Sequence, residues 1–239
     1  MATKRPKAPP RGGSDLWKDH DPPIKSGPTD HGAALESVDW LTRTQYKMHR
    51  PDAVQVEPHE LIRVLNEAGV RFVLMGQHGI SGWLSEPRAT RDVDVVVEKR
   101  RFAKAVRAIH AAWPELLVRE LPVVTRFLDP ANAEPVIDVM RPNDLYREAF
   151  KNCVRVGQTH DVPNLEFALA AKFAAMVSRN REIPKKHSDA SDFAQMVLRN
   201  HSSVDVERLR QLGDVVYPSG GDELTRFVED VKAGRALRL

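Results

Sequence analysis

The chain has 239 residues, of which 41% are hydrophobic, and it contains a single cysteine, Cys153. This length and apolar content suffice for a sizeable core, and no apolar run approaches the roughly 20 residues that cross a bilayer. One cysteine excludes an internal disulfide framework and a cysteine-based zinc site, and it is typical of the reducing cytoplasm. We therefore predict a cytoplasmic protein without membrane association.

The net charge of +3 is unevenly distributed along the chain. Residues 1–14 contain four basic residues and no acid, so the remaining 225 residues have a net charge of −1. A globally basic nucleic-acid-binding domain is therefore not indicated. Six prolines occur before position 30 and no periodicity is sustained, which predicts that residues 1–50 are a disordered, basic and proline-rich arm.

Helices and strands alternate in the predicted structure of residues 51–160. Apolar residues recur at helical spacing from Pro58, and Gly69 is a suitable C-terminal cap for that helix. The following elements, in chain order, are a strand at 70–75, a strand at 92–97, an amphipathic helix at 99–112, and strands at 123–128 and 136–140.

The pattern becomes helical after Pro163. Helices are predicted near 163–179, 187–199, 203–213 and 221–233. The sequence therefore predicts an α+β (mixed α/β) fold, with a small sheet and flanking helices in residues 51–160 and a helical C-terminal region in residues 161–239.

Three aspartates are the main candidates for chemistry. Asp92 and Asp94 occupy alternate positions of a predicted strand, which places both carboxylates on one face. Asp138 is the one polar residue of the apolar strand 136–140, and a carboxylate with such neighbours is seldom unpaired. If the two strands are adjacent, the three carboxylates converge and favour Mg²⁺ or Mn²⁺, as in two-metal phosphoryl transfer. A solvated strand end, or an Asp138 that accepts from backbone amides, is the structural alternative.

A glycine turn precedes the aspartates. Gly76 and Gly79 follow the strand at 70–75 and are expected to open a short helix, where free backbone amides suit phosphate oxygens. Glycines also end strands for backbone reasons alone, so the turn is informative mainly through its position before the acids.

The glycine turn, the segment Arg88-Ala-Thr90-Arg-Asp92-Val-Asp94 and the isolated Asp138 together resemble the nucleotidyltransferases of the DNA polymerase β superfamily. The pattern is most similar to the small prokaryotic members grouped with the AbiEii-type toxins. The resemblance covers roughly residues 58–200. It includes a helical Lys172 and the downstream segment Lys185-Lys-His-Ser-Asp189-Ala-Ser-Asp192-Phe, which is similar to the group's K-x-x-D-x-x-D-[LF] element.

This resemblance implies transfer of a nucleoside monophosphate from a nucleoside triphosphate (NTP) to an acceptor hydroxyl, with release of pyrophosphate. It implies that Asp92 and Asp94 bind the metals and that Asp138, a further metal ligand, helps to activate the acceptor. The expected acceptor is RNA or tRNA, a protein or a small molecule, and an antitoxin protein is a possible partner. The implied nucleotide-binding residues are Gly76, Gln77, Arg88, Thr90, Lys172 and Asp189.

One position departs from the family pattern. The second residue of the turn, usually Gly or Ser, is the bulkier Gln77. This leaves open a catalytically degenerate module that binds RNA or a partner protein. A metal-dependent phosphohydrolase that uses the same acids is a weaker alternative.

Two further features have a functional and a structural interpretation. Lys172 falls on the apolar stripe of its helix, where it either faces the nucleotide or pairs with Asp189 and locks two helices together. The basic stripe Arg100, Lys104 and Arg107 is either an RNA contact or, more often, a solvated helix face. The basic N-terminus and this stripe favour RNA slightly among the acceptors.

Overall fold

A computed structural model of the chain describes residues 30–50 and 52–237. In this part of the chain, seven strands form one mixed sheet with helices on both faces, which confirms the predicted α+β class. The strands are β1 (Phe72–Leu74), β2 (Val93–Val97), β3 (Leu117–Glu120), β4 (Val124–Leu128), β5 (Pro135–Met140), β6 (Cys153–Val156) and β7 (His160–Pro163). The helices are α1 (His31–His49), α2 (Pro58–Glu67), α3 (Gly76–Ile80), α4 (Phe102–Ala112), α5 (Asp144–Arg147), α6 (Leu165–Val177), α7 (Ile183–Asn200), α8 (Val206–Val216) and α9 (Gly220–Lys232).

The sheet has the strand order β3-β4-β5-β2-β1-β7-β6. The pairs β2–β5 and β1–β7 are parallel and the other neighbours are antiparallel. The two strands that carry the candidate acids, β2 and β5, are therefore neighbours at the centre of the sheet. This adjacency is the condition on which convergence of the acids depends.

Alternation along β2 separates the two faces of the sheet. Val93, Val95 and Val97 point into one core, which α2 and α4 cover. Val96 points into a second core, formed mainly by α6, α7, α8 and α9. Because successive strand residues face opposite sides, Asp94 lies on the same face as Val96, toward the C-terminal helices.

The prediction of a disordered arm is wrong for residues 31–49, because they form helix α1. Asp30 caps its N-terminus by accepting from the backbone amides of Gly32 and Ala33. Leu35 and Val38 are fully buried, so the helix is anchored by its apolar side. The buried side is short, and apolar residues such as Trp40 and Met48 lie exposed outside it, so no sustained periodicity was evident. The rest of the arm, residues 1–29, lies outside the described residues.

The other predicted helices and central strands are confirmed, with ends shifted by a few residues. Three short strands, β3, β6 and β7, and the one-turn helix α5 were not predicted. Residues 160–163, at the predicted boundary between sheet and helical region, are strand β7 of the sheet. In residues 30–50 and 52–237, no helix is both long enough and apolar enough to cross a membrane.

Candidate active site

Asp94 and Asp138 are cross-strand partners. In the parallel pair β2–β5, the register places Asp94 directly opposite Asp138. Side chains at paired positions of neighbouring strands project from the same face, so both carboxylates lie on the side of the sheet toward the C-terminal helices. The predicted convergence of these two acids is thus present in the strand register.

Asp92 lies just before β2, which begins at Val93. Its position is fixed by a side-chain contact, because the hydroxyl of Thr90 donates to Asp92 Oδ1 at 2.8 Å. Its negative charge raises the pKa of both Asp94 and Asp138, which shows that all three carboxylates share one electrostatic environment.

The glycine turn is packed directly against Asp94. Gly76 begins the short helix α3 with a φ of +57°, a conformation that side chains disfavour. A Cβ at Gly76 would lie 2.9 Å from Cγ of Asp94 and closer still to its Oδ2. The backbone of the turn and the carboxylate of Asp94 therefore line the same small space, as the phosphate-binding hypothesis requires.

Burial and mutual repulsion make the acids costly to ionise. Burial, followed by the charges of Asp92 and Asp138, raises the pKa of Asp94 well above its usual value. Burial also raises the pKa of Asp138 to about 6, against the opposing effect of Arg126. Such perturbed acids at a glycine turn are typical of a functional site.

Basic side chains from three elements surround the acids. Arg126, opposite Asp138 on β4, donates from Nε to Asp138 Oδ2 at 3.2 Å. The charge of Lys185 on α7 also lowers the pKa of Asp138, and the charges of Lys172 and Arg181 lower that of Asp94. The other oxygen of Asp138, Oδ1, is buried and has no hydrogen-bond partner within the described part of the chain.

Lys172 is part of an ion-pair network between α6 and α7. Its Nζ lies 2.9 Å from Asp189 Oδ1 and 2.8 Å from Asp192 Oδ2. Arg181 pairs with the other oxygen of Asp189 at 2.9 Å, and Arg88 pairs with Asp192 at 3.2 Å. The structural interpretation of Lys172, a lysine that locks two helices, matches these contacts.

Gln77 and His78 follow Gly76 in α3 and are both buried. Neither side-chain polar atom of Gln77 has a hydrogen-bond partner among residues 30–50 and 52–237, and the same is true of His78 Nδ1. Burial lowers the pKa of His78 to about 4, so the ring is neutral at physiological pH. Because Gln77 is buried, the protein interior accommodates its larger side chain.

Arg91, between Thr90 and Asp92, has a structural role. Its guanidinium is buried and pairs with Asp129 and Glu134 in the turn between β4 and β5. These contacts tie the loop that carries Asp92 to the strand pair that carries Asp138.

The carboxylates form an oxygen-only donor set of the kind that Mg²⁺ and Mn²⁺ prefer. The partnerless Oδ1 of Asp138 and the raised pKa of Asp94 fit a bound divalent cation, which would satisfy the first and offset the second. No three His, Cys, Asp or Glu side chains in the described ranges already lie in an arrangement that could hold a metal ion. Arg126 holds the other oxygen of Asp138, so a cation would share this carboxylate with it.

Comparison with known proteins gives matches at the level of structure. No family model matches the chain, and no curated protein sequence matches it significantly. An antigenic nucleotidyltransferase-like protein from Paracoccidioides brasiliensis is 14% identical, over 85% of this chain and 95% of that one, with a TM-score of 0.42. The antibiotic-resistance factor ANT(2'')-Ia is 15% identical over 82% of this chain and 100% of that one, with a TM-score of 0.47. The tRNA-complexed CCA-adding enzyme from Thermotoga maritima is 11% identical over 88% and 57% of the two chains, with a TM-score of 0.37.

Because these identities and TM-scores are low, the likenesses assign neither an activity nor a substrate to this chain. The function is inferred instead from the geometry of the acids and the glycine turn.

Several residues around the acids were not predicted from the sequence. Arg126 had a signal, since it is the one charged residue of strand β4, but its partner depends on the strand register. Arg181 lies between helices and has no local pattern. Thr42, on the unpredicted helix α1, contacts the backbone of Thr90.

Proposed function

We propose that the chain is a metal-dependent nucleotidyltransferase of the polymerase β type, which transfers a nucleoside monophosphate from an NTP to an acceptor hydroxyl. One observation carries the proposal: Asp94 lies in register with Asp138, and the glycine turn at Gly76 packs against its carboxylate. The turn proposed to bind phosphate thus lies beside the carboxylates proposed to bind metal, which supports this function.

Asp92, Asp94 and Asp138 are the residues that would hold Mg²⁺ or Mn²⁺. When bound, the cations would supply positive charge to the phosphate oxygens and to the leaving pyrophosphate. The chain itself contributes the turn at Gly76, whose backbone would hold the triphosphate beside the acids. Thr90 donates to Asp92 and so restrains its carboxylate.

Asp138 is the candidate proton acceptor. Burial raises its pKa to about 6, so without metal it is an ionised carboxylate at neutral pH that is still basic enough to accept a proton. Its Oδ1, which has no hydrogen-bond partner among the described residues, has one lone pair for a cation and another for the acceptor proton. The acceptor oxygen would attack the α-phosphorus as its proton passes to Asp138. The bond between the α-phosphorus and the bridging oxygen breaks, and pyrophosphate leaves with the electron pair.

Lys172 and Asp189 form, in this proposal, the wall of the nucleotide site rather than its direct contacts. Both are committed to the ion-pair network, and Arg181 connects this network to Asp94 through its charge. Arg88 is the more accessible cation, with a side chain that is 48% exposed, and is the candidate for a direct phosphate contact.

The test is transfer of label from each α-labelled NTP, with Mg²⁺ or Mn²⁺, in the presence of total RNA, protein extract or aminoglycosides. We expect label on one acceptor class and a loss of about a thousandfold, equivalent to about 4 kcal/mol of transition-state stabilisation, in Asp94→Asn. Asp222→Asn, which alters an exposed acid on α9, is the matched control and should retain full activity.

Normal transfer by Asp94→Asn would refute the assignment of the acids. Release of orthophosphate instead of pyrophosphate would identify a phosphohydrolase. The acceptor that takes the label decides among RNA, protein and small molecule, and an antitoxin partner can be sought among proteins that inhibit the transfer.

A second candidate function, a degenerate binding module, is favoured by Gln77. Gln77 replaces the small residue of the family turn. Its buried amide lacks hydrogen-bond partners in residues 30–50 and 52–237. Calorimetry with NTP and Mg²⁺ separates the two functions, because a degenerate module binds no NTP. The variant Gln77→Ser should then leave NTP binding absent, whereas in an active enzyme it should leave binding within a few-fold of the wild type.

A further inference from the structure

Helix α1 lies beside the loop that leads into the acids. The side-chain hydroxyl of Thr42 accepts from the amide of Thr90 at 3.1 Å, and the same hydroxyl lies 3.1 Å from the carbonyl oxygen of Thr90. Thr90 in turn donates to Asp92. Hydrogen bonds therefore connect the Thr42 side chain to the backbone of Thr90, and the Thr90 side chain to Asp92, a candidate metal ligand.

A second contact between α1 and this loop involves the next residue. The guanidinium of Arg91 lies over the ring of Tyr46, 6.0 Å from its centroid. Thr42 and Tyr46 are four residues apart and so share one face of α1. This face holds two consecutive residues of the loop immediately before Asp92.

The helix is itself firmly attached. Leu35 packs into the core that includes β2, and Asp39, which is buried, pairs with Arg43 at 2.8 Å. Arg43 also pairs with Glu57, the residue before α2, at 3.1 Å. A helix fixed in this way can impose a position on the loop rather than follow it.

We propose that α1 is a positioning element of the acid site, in which Thr42 holds Thr90 so that Thr90 presents Asp92 for metal binding. This inference rests on the proposed function, because it needs Asp92 to bind a cation. It extends that function by making a segment outside the β2–β5 strand pair responsible for metal affinity. Hydrogen-bond partners of metal ligands commonly change affinity by tenfold or more when they are removed.

The test compares Mn²⁺ affinity, measured by electron paramagnetic resonance with Mn²⁺ alone, in the full chain. Thr42→Val keeps the shape of the side chain and removes the hydroxyl, and we expect about tenfold weaker Mn²⁺ binding with faster hydrogen exchange at the Thr90 amide. Thr42→Ser restores the hydroxyl and should bind nearly as the wild type. Ser37→Ala removes a hydroxyl that bonds only within α1, to the carbonyl of Ala33, and should change nothing.

If Thr42→Val is less stable than the wild type, a double-mutant cycle still distinguishes a positioning effect on Mn²⁺ affinity from a general loss of stability. Thr90→Val removes the next hydrogen bond, the one to Asp92, so Thr42→Val/Thr90→Val should bind Mn²⁺ no more weakly than Thr90→Val alone. Additive losses would indicate a general structural effect and overturn the positioning role.

Two other outcomes are decisive. Wild-type Mn²⁺ affinity in Thr42→Val overturns the inference and leaves the proposed function intact. A wild-type protein that binds no Mn²⁺ refutes the proposed metal site, and the inference falls with it.

Discussion

Two charged clusters lie on the same side of the sheet and use the same residue type in opposite ways. In the network between α6 and α7, Asp189 and Asp192 are surrounded by Lys172, Arg181 and Arg88 and their charges are compensated. In the acid site, burial and the charges of Asp92 and Asp138 raise the pKa of Asp94, so its ionisation is costly.

This difference in charge compensation distinguishes aspartates that stabilise the fold from those that are available to bind a ligand. A compensated carboxylate contributes to the packing of two helices, whereas buried carboxylates with raised pKa values are concentrated at functional sites. Asp138 illustrates the second case, since one oxygen pairs with Arg126 and the other has no partner within the described residues.

The largest expected stability effect tests the first cluster. Lys172→Met keeps the length of the side chain but leaves Asp189 and Asp192 with fewer buried partners, and we expect a loss of about 3 kcal/mol in the free energy of unfolding by urea. Lys151→Met, which removes the exposed pair with Glu148, is the matched control and should leave that free energy unchanged. Unchanged stability with lost NTP binding would instead place Lys172 in the nucleotide site.

Strong local patterns explain why much of this fold could be predicted. Helix α2 has apolar residues at helical spacing, and β2 and β5 are short apolar runs, so their burial dictates the local structure. Strand β3 could not be predicted in this way, because all four of its residues are exposed and its pairing with β4 decides its conformation. Helix α1 has only a short buried side, and its burial depends on packing against α3 and the core, which are distant in sequence.

The site shows the same division. The sequence indicated Asp92, Asp94 and Asp138 as candidates because these carboxylates precede or interrupt apolar strands. It could not predict that Arg126 opposes Asp138, since that depends on a register with a shift between Phe127 and Leu128. The contact between Thr42 and Thr90 joins residues 48 positions apart and has no local signal.

Ionisation of the buried Asp138 lowers the stability of the folded protein. Because burial raises the folded-state pKa of Asp138 from 3.8 to about 6, the folded protein binds a proton more tightly than the unfolded chain does. Asp138 therefore destabilises the fold above pH 6, where both states are ionised, and this cost disappears below about pH 4, where both are protonated.

Asp138→Asn should thus stabilise the protein by about 2–3 kcal/mol at pH 8, a gain that shrinks as the pH falls through 6 and is absent below pH 4. Urea unfolding at several pH values measures it. Nucleotidyl transfer should be lost in the same variant, so the residue would be retained for function at the expense of stability. A gain that does not change with pH would mean that ionisation of Asp138 is not its source.

The smallest expected effect is the difference in stability between alanine variants at two glycines. It distinguishes the contact of the glycine turn with Asp94 from backbone strain. Gly76 and Gly157 both have positive φ, +57° and +52°, so alanine at either position costs about 1 kcal/mol of strain. A Cβ at Gly157 meets nothing within 4 Å, whereas a Cβ at Gly76 overlaps with the carboxylate of Asp94.

Gly76→Ala should therefore be less stable than Gly157→Ala by about a further 1 kcal/mol, the cost of moving a packed side chain. It should also weaken Mn²⁺ binding, which Gly157→Ala leaves unchanged. Equal stabilities and equal Mn²⁺ affinities for the two variants would show that the turn and the carboxylate do not share one space. The glycine turn would then be a feature of the strand end alone, and the phosphate-binding role assigned to Gly76 would have to move to Arg88, the other candidate for a phosphate contact.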